Sequence, residues 1–528
     1  MHNNIKYKDI SIYTFLFITS FSVNFYVSSY GVYPVDTFIH YDTGYRILLG
    51  DVPIKDYWIV HGFLIDYIQA FFFKIFGNNW HSYLIHSSLM NVAVTIFSYY
   101  TFRILEVSKP CSFLSSLALS FLAYPVSGTP FLDLHSTYFS LIAIYFAILG
   151  VAEKKNYLWF WTAFFLSIAF FSKQVPAAYT IIVVSVLNFY ISYTNKNKNI
   201  FLYYVCGAII FLLFLLFFLT IQKIPLYDFI LQIFLFPESI GSSRYEKYVL
   251  TIKNVVLDYK FIYLNFLIIV IINILNLKKN NFYYKSEKFQ IFLIITSFTC
   301  STIFHQIYTK NQIYIFFLIP FLLGFIFFFI KDIKFNQKTF FTYFLLLICT
   351  LVTFKYNKRF NIERQFHELV NSDLNNSVKI EIFDKKFKTL NWISPYYKNP
   401  NEELKRIEDL YLYLKEDKMN KMLITEYNFF SSLLEEKLYS PSRTYDDISY
   451  PKNNNKYYNY YKNFLLKKIK INKIKNIYIF DSKKIDEKRL DHLLFNYISK
   501  NCFKKNNFDL YIKKLQIIKC KDLEIKIE

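Results

Sequence analysis

Asp36, Asp42, Asp51, Asp56, Asp66, Asp133, Asp228 and Asp258, with His40, His61, His81, His86, His135 and His305, lie in segments that one assignment of chain direction puts on the same side of an apolar scaffold. Carboxylates and imidazoles gathered on one face are the residue types that move protons at a substrate hydroxyl. Two carboxylates across one bond would suit glycoside hydrolysis instead, and Asp42, Asp56 or Asp133 could partner Asp36 in that role. Arg46, Lys173 and Lys310, with His61, His305 and Tyr308, stand on that side too, and such cations and donors hold phosphates. The six cysteines include no C-x-x-C pair, so no zinc site is implied.

The scaffold that must position these groups is of membrane type. Of 528 residues, 54% are hydrophobic and 21% aromatic, and the apolar residues come in blocks near the length of a bilayer crossing. The blocks are 10–30, 83–105, 112–130, 135–151, 157–172, 175–193, 200–220, 261–277, 289–307, 312–330 and 339–354, which predicts a polytopic helical protein of about eleven transmembrane helices. The N-terminal block lacks a small-residue cleavage site and is expected to be a retained helix rather than a signal peptide.

With the N-terminus inside, Lys6/Lys8, Arg103/Lys109, Lys154/Lys155, Lys196/Lys198, Lys278/Lys279/Lys285/Lys288 and Lys331/Lys334/Lys338 all become cytoplasmic, as the positive-inside rule requires. The assignment needs GFLIDYIQAFFFKIFG, 62–77, not to cross. Carrying Asp66 and Lys74, it suits an amphipathic helix in the interface.

The cations of the apolar region sit in these short clusters, where bilayer orientation accounts for them, so the net charge of +22 does not call for a nucleic-acid partner and none is expected. After residue 355 the apolar blocks stop. The expected division is a membrane domain over 1–355, with a long outer loop at 31–82, and a soluble α/β domain over 356–528 on the outer, periplasmic side. Within the latter, EELKRIEDLYLYLKE and KRLDHLLFNYISKN are expected as helices and KMLITEY and KNIYIFDS as buried strands. PKNNNKYYNYYKN, 451–463, is expected as a surface loop, and Cys502 and Cys520 are expected to pair in a compartment that permits disulfides.

The first outer loop, PVDTFIHYDTGYRILLGDVPIKDYWIVHGFLIDYIQAFFFKIFG, resembles the first luminal loop of GT-C membrane glycosyltransferases of the protein-mannosyltransferase and aminoarabinose-transferase kind. In that class an Asp opens an interfacial helix that ends at a Gly about fourteen residues on, followed by a Tyr-x-Asp-like turn, a Gly-Pro-Leu-like signature and a Phe-Gly end. Asp36, Gly50, Asp56, His61-Gly62-Phe63-Leu64 and Phe76-Gly77 fall in that order. Thr37 stands where Glu is common and Phe63 where Pro is usual.

The resemblance implies transfer of a sugar from a polyprenyl-phosphate carrier to a lipid, glycan or protein acceptor, at the outer face of a bacterial inner membrane. It assigns Asp36 as the base, with a helix cap before Thr37 as its plainer role. It assigns lipid-phosphate and substrate contacts to Arg46, Asp56, His61, Asp133, Lys173, His305, Tyr308 and Lys310. No cofactor is implied, though the acidic loop leaves room for a divalent metal. The rival readings are a transporter or flippase, which should show broken helices and repeat symmetry that this chain lacks, and a glycan polymerase, which would share the carrier.

Overall fold

A computed structural model describes residues 9–123, 128–245, 250–277, 285–309, 315–331, 333, 337–364, 369–370, 372–380, 385–446, 448–507, 509–518 and 520. Each of the eleven apolar blocks holds a helix, from Ile10–Val27 to Lys338–Tyr356, the tenth as the turn Ile315–Phe317 followed by Leu318–Ile330. Among the described residues six helices are long and apolar enough to cross a membrane, and shorter apolar helices such as Tyr157–Ser172 stand between them. The chain is a multi-pass membrane protein.

Two compact units form, each assembled from separate stretches of chain. The first comprises 1–29, 84–218 and 247–370. Its axis is Leu132–Ala152, of which 89% of the apolar window is buried, whereas only 17% is buried in Lys198–Ile221. On that outer helix Phe217 is 65% exposed, an arrangement that only lipid makes favourable over several turns. Polar side chains inside the unit bridge helices: Asn24 Nδ2 donates to Ser87 Oγ at 2.8 Å, and Asn91 Nδ2 donates to the Ser20 and Ser120 carbonyls at 3.1 and 3.0 Å.

The second unit comprises 30–83, 219–246 and 371–528, so the first outer loop belongs to the same compact unit as the C-terminal residues. Its sheet has the order Lys421–Thr425, Asn476–Phe480, Ile512–Ile517, Phe503–Asn507, the first pair parallel and the others antiparallel. The two parallel strands are buried along their whole length, which is why they read as short unbroken apolar runs. Pro400–Glu416 forms the expected helix, capped by Asn399, whose side chain accepts from Asn401 N. KRLDHLLFNYISKN is not one helix: Glu487–Leu490 passes into a π-helical turn at Asp491–Phe495 and a further turn at Lys500–Cys502. Cys502 and Cys520 are disulfide-bonded.

A second expectation is overturned. The stretch expected as a loop at 451–463 runs into a helix, Tyr458–Ile471, because Tyr461, Leu465, Leu466 and Ile469 recur at helical spacing and are buried. The abundant Asn, Lys and Tyr conceal that stripe.

Candidate functional site

In the second unit the segment before Asp36 pairs with 391–393: Gly31 N and Val32 N donate to the carbonyls of Asn391 and Ile393 at 2.9 and 2.8 Å. A short helix, Pro34–Thr37, follows, with Tyr33 at its cap. Asp36 therefore lies inside the turn and does not cap a helix beginning at Thr37. The capping work falls to Thr37, whose Oγ1 accepts from Tyr33 N at 2.9 Å, which gives a local reason for Thr where the family often has Glu. Asp36 is half-buried, and its charge acts on Tyr33, His40, Tyr396 and Asp446.

The next helix, Ile39–Leu48, ends just before Gly50, whose φ of +86° favours glycine. It lies so close to Leu64–Phe76 that a Cβ on Gly44 would stand 2.7 Å from Gln69 Cγ. Between these helices Asp66 is wholly buried. Its Oδ1 is 2.7 Å from His40 Nδ1 and accepts from Thr43 Oγ1 at 2.7 Å, while Oδ2 accepts from Arg443 Nη2 at 2.5 Å. Both Nη atoms of Arg443 also donate to the Gly62 carbonyl at 3.1 Å.

Burial alone would raise the Asp66 carboxyl, but Arg443 and His40 outweigh it and hold the group below its ordinary value. Burial pushes the His40 imidazole down, against the pull of Asp66. The pair is thus a neutral imidazole donating from Nδ1 to a carboxylate, with Nε2 left as a buried acceptor that has no hydrogen-bond partner among the described residues.

Arg46 is buried in an internal network: Nε donates to Asp51 Oδ2 at 3.0 Å, Nη2 to the Ser440 carbonyl at 2.9 Å, and its guanidinium lies 4.2 Å from the Tyr57 ring centroid. Lys437 closes the network on Asp51 Oδ1 at 2.9 Å. Asp56 accepts from Val52 N at 2.8 Å, closing the Tyr-x-Asp-like turn, and pairs with Lys468 at 2.7 Å. His61 is half-buried.

Glu426 and Asp446 complete the unit's polar centre. Burial, reinforced by Asp481, raises Glu426 to about 7, although Arg489 Nη2 stands 3.6 Å from its Oε1. A carboxyl raised in the fold stabilises fully below its unfolded value and loses that contribution as pH rises through its folded value. For Glu426 the window runs from 4.5 to about 7. Glu426→Gln is therefore expected to raise the melting temperature at about pH 8 and to leave it unchanged at about pH 4. Melting curves of the detergent-solubilised protein across that range check it.

In the first unit Asp133, Lys173 and His305 come together. Lys173 is the extended residue between Tyr157–Ser172 and Gln174–Thr194, and its Nζ lies 2.5 Å from Asp133 Oδ2. His305 Nε2 is 3.5 Å from Asp133 Oδ1. Asp133 does not cap its helix: Phe131 holds that position, and Asp133 turns its carboxylate to Lys173. His86 Nε2 and His135 Nε2 are 3.0 Å apart. Tyr308 follows His305 on the same helix, its ring tilted against that of Phe304 with centroids 4.9 Å apart. Lys310 lies outside the described residues. Among the described residues no three His, Cys, Asp or Glu side chains are grouped to hold a metal ion.

Residues 60–218 match the family model of dolichyl-phosphate-mannose-protein mannosyltransferases. The resemblance to the GT-C membrane glycosyltransferases is borne out. The match takes in His61, Asp133 and Lys173 and begins after Asp36. No curated protein matches the chain in sequence. Among solved structures the chain is similar to ArnT from Cupriavidus metallidurans, a structure bound to undecaprenyl phosphate, at 10% identity over 95% of this chain and 97% of that one, with a TM-score of 0.49.

The sequence reading passed over His40, Asp66, Arg443, Glu426 and Asp446 as site residues. His40 and Asp66 are 26 positions apart on two helices, so their meeting is a tertiary fact.

Proposed function

We propose that this protein is an inner-membrane glycosyltransferase that moves a sugar from a polyprenyl-phosphate carrier to a cell-envelope acceptor at the periplasmic face. The match of residues 60–218 to a mannosyltransferase family that uses a lipid-phosphate sugar carries this reading. In the reaction the acceptor hydroxyl attacks the anomeric carbon, the bond from that carbon to the carrier phosphate breaks, and the hydroxyl proton passes to a carboxylate. Asp36 is the proposed base. Its partial burial leaves the carboxylate reachable, whereas Asp42 and Asp66 are closed off inside their unit.

Lys173, His305 and Tyr308 are the proposed contacts of the carrier phosphate, with Asp133 orienting Lys173. Lys310 and His61 remain candidates for the same task. Arg46 and Asp56, committed to internal partners, hold the loop in shape. A lipid phosphate is a good leaving group, and a cation beside it lowers the charge that develops.

Deletion of the gene is expected to make one carrier-linked sugar accumulate in membrane extracts, read by mass spectrometry of the lipid fraction. An unchanged carrier pool would overturn the transferase reading. Orientation has its own check. Alkaline-phosphatase fusions at residues 60 and 225 should be active, and those at 107 and 196 inactive, since the lysine clusters are taken as cytoplasmic.

A further inference from the structure

The membrane helices Leu132–Ala152, Gln174–Thr194 and Glu287–Thr309 have Asp133, Lys173 and His305 at or beside one end. Their opposite ends, with the segment that leads into Lys198–Ile221, surround a polar groove of about 800 Å³. Its described lining carries Lys154, Lys196, Lys285 and Lys288 against one acid, Glu287, which is 2.9 Å from Lys154.

The groove is built rather than fortuitous. Asn195 and Gln290 exchange reciprocal side-chain hydrogen bonds at 3.3 and 2.8 Å, and Asn197 Nδ2 donates to Asn156 Oδ1 at 3.0 Å. Three segments distant in sequence, around 156, 195–197 and 290, are thereby fixed around it. It lies wholly within the first unit.

A second groove of about 750 Å³ shares Thr194, Lys196 and Lys285 with the first. Its wall is apolar: Phe189, Tyr193 and Phe201 line it and are 62%, 77% and 41% exposed. On helices that cross a bilayer, exposed aromatics of this kind face acyl chains. A basic polar basin thus opens directly onto a lipid-facing trough.

We propose that the joined grooves bind one anionic phospholipid, its phosphate headgroup among Lys154, Lys196, Lys285 and Lys288 and an acyl chain along Phe189, Tyr193 and Phe201. Basic pockets between membrane helices attract anionic headgroups, each Lys adding to the attraction. The apolar trough distinguishes a lipid from a free anion, for which it has no use. The site is at the opposite helix ends from Lys173 and His305, and it does not rest on the sugar-transfer reading.

The test uses the full chain in neutral detergent, titrated with phosphatidylglycerol and followed by native mass spectrometry and by melting temperature. Lys196→Gln with Lys285→Gln is expected to weaken phosphatidylglycerol binding by about 30-fold and to abolish its stabilising effect. Lys260→Gln, on a helix that does not line either groove, should bind as the parent does. Should the double variant fail to express, exposed Lys196→Gln alone is expected to weaken binding by about 5-fold. Phosphatidylcholine and inorganic phosphate at equal concentration should give no comparable stabilisation. Equal phosphatidylglycerol binding by the lysine variants, or full stabilisation by inorganic phosphate, would overturn the proposal.

Discussion

Asp36→Asn is expected to lower sugar transfer by about 100-fold or more while expression and membrane insertion stay near those of the parent. The substitution keeps the size of the side chain and removes the charge that would accept the hydroxyl proton. Its structural cost should be small, because the turn Pro34–Thr37 is secured elsewhere. Thr37 Oγ1 takes the Tyr33 N–H, and Tyr83 Oη donates to the Thr37 carbonyl at 2.7 Å. The cap of that helix is Tyr33, not Asp36. Binding of the carrier-linked donor should survive, since no phosphate contact is assigned to this residue, so the loss should appear in kcat with little change in KM. Initial rates with radiolabelled donor in reconstituted vesicles measure it. Near-normal transfer by Asp36→Asn would remove Asp36 from the bond-making step and leave the family resemblance resting on residues 60–218 alone.

The distribution of what could be read beforehand follows the range of the forces involved. Helices across the bilayer are local consequences of apolar runs, so all eleven blocks were visible, as was the amphipathic helix with Asp66 and Lys74. Gly50 and Gly77 were visible too, since positive φ at a helix end leaves a sequence mark: both have φ near +85°, at +86° and +85°. The pairing of Lys173 with Asp133 was not visible, because 40 positions separate them and a lysine between two apolar helices looks the same whether it snorkels or meets a carboxylate.

The association of the first outer loop with the C-terminal residues was hidden for a similar reason. Arg443 meets Asp66 across 377 positions, and Lys468 meets Asp56 across 412. Charge pairs that join such distant segments have no periodicity to betray them. Composition worked against the helix at Tyr458–Ile471, whose apolar stripe is interrupted by Lys and Asn on its exposed faces.

Asp66→Asn should be the most destabilising single change in the second unit. Asp66 is wholly buried and is the acceptor for His40, Thr43 and Arg443 together. Removing its charge strands the Arg443 guanidinium, whose side chain is only 4% exposed. Breaking a buried pair in this way costs about 3–5 kcal/mol, which corresponds to a fall in melting temperature on the order of 10 °C. Arg443→Met should cost a similar amount, because it strands the carboxylate instead. The double variant should recover part of the loss, since no unpaired charge is then left. Acid supplies an independent readout. The folded Asp66 carboxyl is held below its ordinary 3.8, so its contribution is present above that value and is lost as pH falls through the folded one. Asp66→Asn should therefore lack that part of the acid destabilisation. Additive losses in the two single variants and the double would show that Asp66 and Arg443 are not coupled. Activity should follow stability here for a geometric reason. Asp66 ties Leu64–Phe76 to His40 and Thr43 on Ile39–Leu48, the helix that begins two residues after Thr37, and slackening that tie displaces the turn that carries Asp36.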